Sequence, residues 1–103
     1  SVNSMGATPL IHASKNGRDE LVSLLLLYGA NIEAVTNMGS SSLLKACQNG
    51  QVSTARILIE KGANPYARNR DGNSPIQIAI RKGYEELVLL MNNPPIERLH
   101  SMS

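Results

Sequence analysis

Apolar residues recur at helical spacing in short segments along the chain. In the first segment Leu10 and Ala13 lie three residues apart, as on one face of a helix. A second apolar stripe follows with the i, i+1, i+3, i+4 spacing that is typical of a longer helix. Its members are Leu21, Val22, Leu24 and Leu25. The pattern therefore predicts two successive helices, each with one buried face.

The same pair of stripes occurs twice more. The inward positions of the short helices are Leu43 and Ala46, then Ile76 and Ala79. The longer stripes are Thr54, Ala55, Ile57 and Leu58, then Leu87, Val88, Leu90 and Met91. No unit of this size buries its apolar face alone, so three of them predict a stacked repeat protein.

Glycine and alanine fix the period of the repeat. Gly6, Gly39 and Gly72 are 33 residues apart (39−6 and 72−39), and Gly29-Ala30-Asn31 returns at the same step as Gly62-Ala63-Asn64. Hydroxyl residues suited to cap each short helix are Thr8, Ser41 and Ser74. Proline follows the cap in the first and third copies, whereas Ser42 takes that position in the second. The backbone at the start of the second short helix is therefore less restricted to the helical conformation.

The motifs Gly-x-Thr-Pro-Leu and Leu-Leu-x-x-Gly-Ala-Asn, in units of 33 residues, resemble ankyrin repeats from Asn3 to about Met91. The resemblance implies an all-α solenoid of antiparallel helix pairs with projecting β-hairpin loops, whose concave side is formed by hairpin tips and first helices. The chain departs from the family at the histidine after Thr-Pro-Leu. Here Ile11, Leu44 and Gln77 stand in that position.

The expected domain is an array over residues 1–93, with repeats at about 3–35, 36–68 and 69–93, followed by a tail over 94–103. Pro94 and Pro95 stand where a further Gly-Ala would be expected, and they end the last helix. Either three repeats form the whole domain, or this is part of a longer array.

Composition argues against several function classes. The net charge of +2 is too mild to indicate a nucleic-acid or membrane binder, and three tyrosines are the only aromatic residues available for base stacking. The longest apolar run, 24–28, is too short to cross a bilayer, and no leader segment opens the chain. A single cysteine excludes an internal disulfide. We expect a monomeric intracellular protein, cytoplasmic or nuclear.

Catalytic chemistry has little support in the sequence. His12 and Cys47 could act as a general base and a nucleophile, but the sequence shows no third orienting group and no oxyanion motif beside them. His12, Cys47 and His100 lack the spacing of metal ligands. The glycines form no phosphate-binding loop. We therefore expect no enzyme, no cofactor and no metal.

Basic residues gather in the later part of the chain. Residues 6–38 carry two basic and three acidic side chains, whereas residues 39–71 carry five basic and two acidic. On the family's geometry, Arg68 and Arg70 lie near one hairpin tip, with Arg81 and Lys82 at the end of the adjoining first helix. This patch suits an acidic peptide or surface. The alternative is a solvated surface, with the helix-end cations complementing the helix dipole.

The predicted function is non-catalytic binding of another protein or peptide, acidic in character, at the concave surface. The partner-binding residues expected from the family's geometry are Met38, Ser40, Gln48, Asn49, Arg68, Arg70, Asp71, Asn73, Arg81 and Lys82. Met38 has the alternative role of packing between hairpins. The alternative function is a structural or regulatory spacer within a longer ankyrin array attached to another domain.

Overall fold

A computed structural model describes residues 8–92, and six α-helices form the framework of this part. Their bounds in chain order are α1 Pro9–Lys15, α2 Asp19–Leu27, α3 Ser42–Gln48, α4 Val52–Glu60, α5 Pro75–Lys82 and α6 Glu85–Asn92. Between residues 8 and 92, the one β-type pairing is an isolated antiparallel bridge from Val35 to Ser41. The predicted all-α class is confirmed.

The short helices begin at the predicted caps. The Thr8 hydroxyl accepts a hydrogen bond from the Ile11 N–H at 3.2 Å, and the Ser41 hydroxyl accepts one from the Leu44 N–H at 3.2 Å. Ser74 forms a complete capping box with Gln77, whose side-chain oxygen accepts from the Ser74 N–H at 3.0 Å. Gln77, which stands where the family has histidine, therefore stabilises the N-terminus of α5.

Each helix pair packs on the next in the same way. Within the pairs α1 contacts α2, α3 contacts α4, and α5 contacts α6. Between pairs, α1, α3 and α5 contact one another in order, and α2, α4 and α6 do the same. The result is a layer of short helices beside a layer of longer ones, with the core between neighbouring pairs.

Small and branched side chains fill this core at matching positions. Ala13, Ala46 and Ala79 are buried, as the pattern predicts, and Leu10 and Leu43 are buried with them. Ile11 and Leu44, which replace the family histidine, are each 1% exposed. Buried apolar side chains therefore replace the family's histidine at two of the three matching positions.

The predicted stripe of the first longer helix is partly wrong. Leu21 is 37% exposed and Leu24 is 47% exposed, while Val22 is buried and Leu25 half-buried. The residues matching Leu21 in the later repeats, Thr54 and Leu87, are both fully buried. The difference arises because α4 and α6 each have a preceding longer helix packed against them, whereas no described helix precedes α2 in that layer.

The turn between α1 and α2 shows how closely neighbouring pairs approach. Gly17 has φ +73°, and a Cβ at this position would clash with the side-chain oxygen of Gln51. The Gln51 amide donates to the Lys15 carbonyl at 3.1 Å, so the second repeat is hydrogen-bonded over the end of the first helix. One repeat later, the Tyr84 hydroxyl occupies the same place over Gly50.

Two sets of expectations lie outside the described residues. The first concerns the segment before Thr8, including Gly6. The second concerns the predicted tail over 94–103 and the predicted end of the repeat array at residue 93.

Candidate partner-binding groove

The loops between α2 and α3 and between α4 and α5 have the same construction. In the first loop the Thr36 hydroxyl accepts from the N–H groups of Met38 and Ser40, both at 3.2 Å. In the second loop the Asn69 side-chain oxygen accepts from the N–H groups of Asp71 at 2.9 Å and Asn73 at 3.0 Å. One polar side chain thus holds each loop tip in a tight turn.

The two loop tips are also joined to each other. The Arg70 N–H donates to the Met38 carbonyl at 2.8 Å, and the Asn69 side-chain amide lies 3.5 Å from the Ser40 hydroxyl. The shorter of these contacts is between backbone groups. The shorter contact between the tips therefore does not depend on which side chains stand at positions 38 and 70.

A depression lies between these loop tips and the short helices, and we call it the loop–helix groove. Its volume is about 260 Å³. It is lined from the helices by Ile11, His12, Lys15, Lys45 and Gln48, and from the loops by Thr36, Met38, Ser40, Asn69 and Asp71.

Charge is distributed unevenly around the groove. His12, Lys15 and Lys45 contribute nitrogen-bearing side chains from α1 and α3, whereas Asp71 contributes a carboxylate from the second loop. Between residues 8 and 92 the one ion pair is Arg56–Glu86, at 2.6 Å, and neither partner lines the groove. The lysines of the groove therefore have no carboxylate within 4 Å in this part of the chain.

The groove also has apolar surface. Ile11 is buried at its base, and Met38 on the loop side is 40% exposed. An exposed methionine is unbranched and polarizable, so it adapts its shape to an apolar contact. The groove thus combines cationic side chains with an apolar contact surface.

Four of the ten predicted partner-binding residues line this groove. They are Met38, Ser40, Gln48 and Asp71. Ser40 is only 4% exposed, so little of its surface can meet a partner. Asn73 lies half-buried in the second loop, where its N–H is bonded to Asn69.

The other predicted residues lie on exposed surface beyond the groove lining. Arg68, Arg70, Arg81 and Lys82 are all exposed. Asn49 is the C-cap residue of α3, and its side-chain amide donates to the Lys45 carbonyl at 2.8 Å. This bond gives Asn49 a structural role at the helix end.

The expected binding residues did not include three helix side chains that line the groove, His12, Lys15 and Lys45. A signal for them does exist. His12 and Lys15 lie three residues apart on α1, and Lys45 and Gln48 take the matching positions on α3, so each pair shares one helical face. Thr36 and Asn69 were missed because their importance depends on loop geometry.

The described residues contain neither an exposed cysteine nor a cluster of metal-ligating side chains. Cys47 is fully buried, and burial raises the pKa of its thiol to about 12, so the reactive thiolate is disfavoured. In the part of the chain that the structure describes, no three His, Cys, Asp or Glu side chains cluster as metal ligands. None of the helices between residues 8 and 92 combines the length and apolarity needed to span a bilayer.

An all-α stack of helix pairs with a groove between loops and short helices defines the class of helical repeat proteins. Within that class, the family model described as ankyrin repeats (3 copies) matches residues 10–97. The chain belongs to the ankyrin repeat family. A search of the curated proteins gave no match to this chain. Ankyrin repeats are in general protein–protein interaction modules, and the family is typically non-catalytic.

Proposed function

We propose that this protein is a monomeric, non-catalytic interaction module of the cytoplasm or nucleus, and that its loop–helix groove binds an acidic segment of another protein. The observation that carries the proposal is the position of Lys15 and Lys45 beside the apolar surface of Met38 in one depression. Lysine ammonium groups attract carboxylates, and the adjoining apolar surface adds contact area.

The groove is well suited to binding because its walls are already held in place. The short helices α1 and α3 are capped, the loop tips are bonded through Thr36 and Asn69, and the Arg70 N–H joins one tip to the other. A preformed site loses little conformational entropy on association, so more of the contact energy contributes to affinity. Asp71, on the opposite wall, favours a segment that places a cationic or hydrogen-bond-donating group there.

The exposed cations around the groove have a separate role in this proposal. Arg68, Arg70, Arg81 and Lys82 increase the positive potential met by an approaching acidic partner. Such charges raise the association rate more than the final affinity, and salt screens them. Replacing them is therefore expected to slow association, whereas changes at Lys15 and Lys45 speed dissociation.

The test is capture from cell extract on immobilised protein, followed by binding kinetics with the partner obtained. Lys15→Glu/Lys45→Glu is compared with Arg68→Glu/Arg70→Glu and with the matched control Lys61→Glu, an exposed lysine at the end of α4 outside the groove. We expect at least a tenfold loss of affinity for the first variant and no change for the control. A partner that binds all these variants equally would refute the assignment to the groove.

The alternative, a spacer within a longer array, rests on the exposure of Leu21. This residue is 37% exposed, while the matching Thr54 and Leu87 are fully buried against the preceding repeat. A further repeat before α1 would cover it. This alternative predicts that a longer parent chain is more stable than residues 1–103 and that the groove variants change no binding.

A further inference from the structure

The loop–helix groove contains a side chain of the type that changes charge near neutral pH. An imidazole ordinarily gains its proton between pH 8 and 5, whereas lysine and carboxylate side chains keep one charge across this range. Among the described residues that line the groove, His12 is the one histidine. It is exposed to solvent, so protons and a bound partner can both reach its ring.

His12 occupies a position that carries a permanent cation in the next repeat. One period later, at 45 (45−12=33), the matching residue is Lys45, and both line the groove from short helices that contact each other. The matching residue of the third repeat is Ile78, which is only 5% exposed. This row therefore has two accessible members, of which the second is a fixed charge and the first is titratable.

The other charges that face His12 come from three elements. Lys15 lies three residues further along α1, Lys45 lies on α3, and Asp71 lies on the second loop. The first loop contributes only uncharged side chains to the lining of the groove. The helix side of the groove thus carries two fixed positive charges beside the histidine, and the loop side carries one negative charge.

The remaining helix packed against α1 brings no charge to the groove. α2 carries Asp19 and Glu20, and neither of them lines it. The Asp19 carboxylate instead accepts hydrogen bonds from hydroxyls of the second repeat. Among residues 8–92, no carboxylate lies within 4 Å of the nitrogens of the His12 ring. A protonated ring in the groove can therefore take its counterion from a partner.

We propose that His12 couples recognition at the groove to pH, so that the groove binds an acidic segment more tightly when this ring is protonated. Protonation adds a third positive charge to those of Lys15 and Lys45. The coupling is reciprocal, so a partner carboxylate that binds the protonated form better also favours uptake of a proton. This inference rests on the function proposed for the groove and adds its regulation by acidification.

The test measures the affinity of the full chain for an acidic peptide at pH 8 and at pH 5.5, by titration calorimetry. The peptide alternates aspartate with leucine and is blocked at both ends, so it has no group that ordinarily titrates between these pH values. We expect the unchanged protein to bind the peptide about three- to fivefold more tightly at pH 5.5, which is the effect of one exposed ion pair.

Two substitutions at one position separate the charge of His12 from its shape. His12→Gln keeps a polar side chain that does not titrate, so its affinity should be the same at both pH values. His12→Lys copies the residue of the second repeat, and its affinity should be high at both. His100→Gln is the matched control, because it removes the other histidine of the sequence and should keep the full response to pH.

Proton uptake gives a second readout that a purely structural role of His12 would not move. The heat of binding at pH 6.5 is measured in two buffers that differ in their ionisation enthalpy. We expect the unchanged protein to take up a fraction of a proton on binding the peptide, and His12→Gln to take up none. Circular dichroism at pH 8 and pH 5.5 checks that each variant is folded under both conditions.

The outcomes distinguish this inference from the function on which it rests. Absence of binding at both pH values, or equal binding by Lys15→Glu/Lys45→Glu, would refute the groove as a site for acidic segments, and both proposals with it. Binding that is lost in this double variant but equal at the two pH values would overturn only the role of His12. A pH response that survives in His12→Gln, or disappears in His100→Gln, would overturn it as well.

Discussion

The hydroxyl of Thr54 donates a hydrogen bond to the carboxylate of Asp19, which joins α4 of the second repeat to α2 of the first. Thr54 is fully buried, and the exposed Ser53 donates to the other carboxylate oxygen at 2.6 Å. A hydrogen bond to a charged group contributes more than one between neutral groups. The boundary between two repeats therefore depends on a polar contact as well as on apolar packing.

The first prediction follows from this contact. Thr54→Val keeps the shape of the side chain but removes the donor, so it should lower the free energy of unfolding by ~1.5–3 kcal/mol. Ser53→Ala is the control and should cost less, because its hydroxyl is exposed and water can replace it. Urea unfolding of both variants measures the difference. A loss below ~0.5 kcal/mol for Thr54→Val would contradict the role of the contact.

The second prediction separates the buried from the exposed part of the apolar stripes. Leu58→Ala, at a fully buried position, should cost ~2–5 kcal/mol, because it leaves a cavity. Leu24→Ala, at a position 47% exposed, should cost well under half of that. Leu25 is half-buried and should fall between them. Equal losses in thermal or urea unfolding would show that the first repeat is covered in solution.

A third prediction concerns Ser42 at the start of α3. Its side chain is fully buried, and its hydroxyl has no hydrogen-bond partner among residues 8–92. Proline occupies the matching place in α1 and α5. Ser42→Pro should raise stability by ~0.4–1 kcal/mol through a less flexible unfolded chain, with a further gain from removing the buried hydroxyl.

Ser42→Ala is the matched variant for this test, because it removes the hydroxyl without fixing the backbone. We expect its melting temperature to lie between those of the natural protein and Ser42→Pro. A Ser42→Pro protein that melts below the natural one would mean that the ring does not fit the first turn of α3.

A fourth prediction concerns alkaline pH. Burial raises the pKa of the Cys47 thiol from an ordinary value of 9.0 to about 12. The unfolded chain releases this proton above about pH 9 while the folded chain keeps it, so the thiol's contribution to stability is complete below pH 9 and is lost as the pH rises towards 12. The slope is ~1.4 kcal/mol per pH unit in this window.

Cys47→Ala provides the reference, because it leaves every other titrating group in place. Unfolding of both proteins between pH 8 and 11 should show the natural protein losing stability faster above pH 9. Parallel pH profiles would contradict the prediction. The same burial predicts slow alkylation of Cys47 until the protein unfolds.

The local rules of helix formation made the fold predictable from sequence. Thr8, Ser41 and Ser74 mark the observed helix starts, and Gly83 is the C-cap of α5 with φ +79°. Burial of the longer helices was harder to predict. Leu21 and Leu87 occupy the same position in the repeat, but one is 37% exposed and the other buried. Periodicity identifies an apolar face without indicating whether a neighbour covers it.

The groove was predictable only in part for a related reason. Met38, Gln48 and Asp71 follow from the family's geometry, since each lies on a loop tip or a first helix. The grouping of Lys15 and Lys45 with Asp71 depends on how three consecutive repeats stack. The hydrogen bond from the Asn49 side chain to the Lys45 carbonyl also cannot be read from the sequence.

The bond from the Arg70 N–H to the Met38 carbonyl has a consequence for how this surface can change over evolution. Any residue other than proline at position 70 retains the donor, and every residue at position 38 retains the acceptor. Substitutions at these two tips can therefore alter shape and charge while the scaffold beneath them stays fixed. A new recognition specificity can arise here by single exchanges, without a compensating mutation in the core.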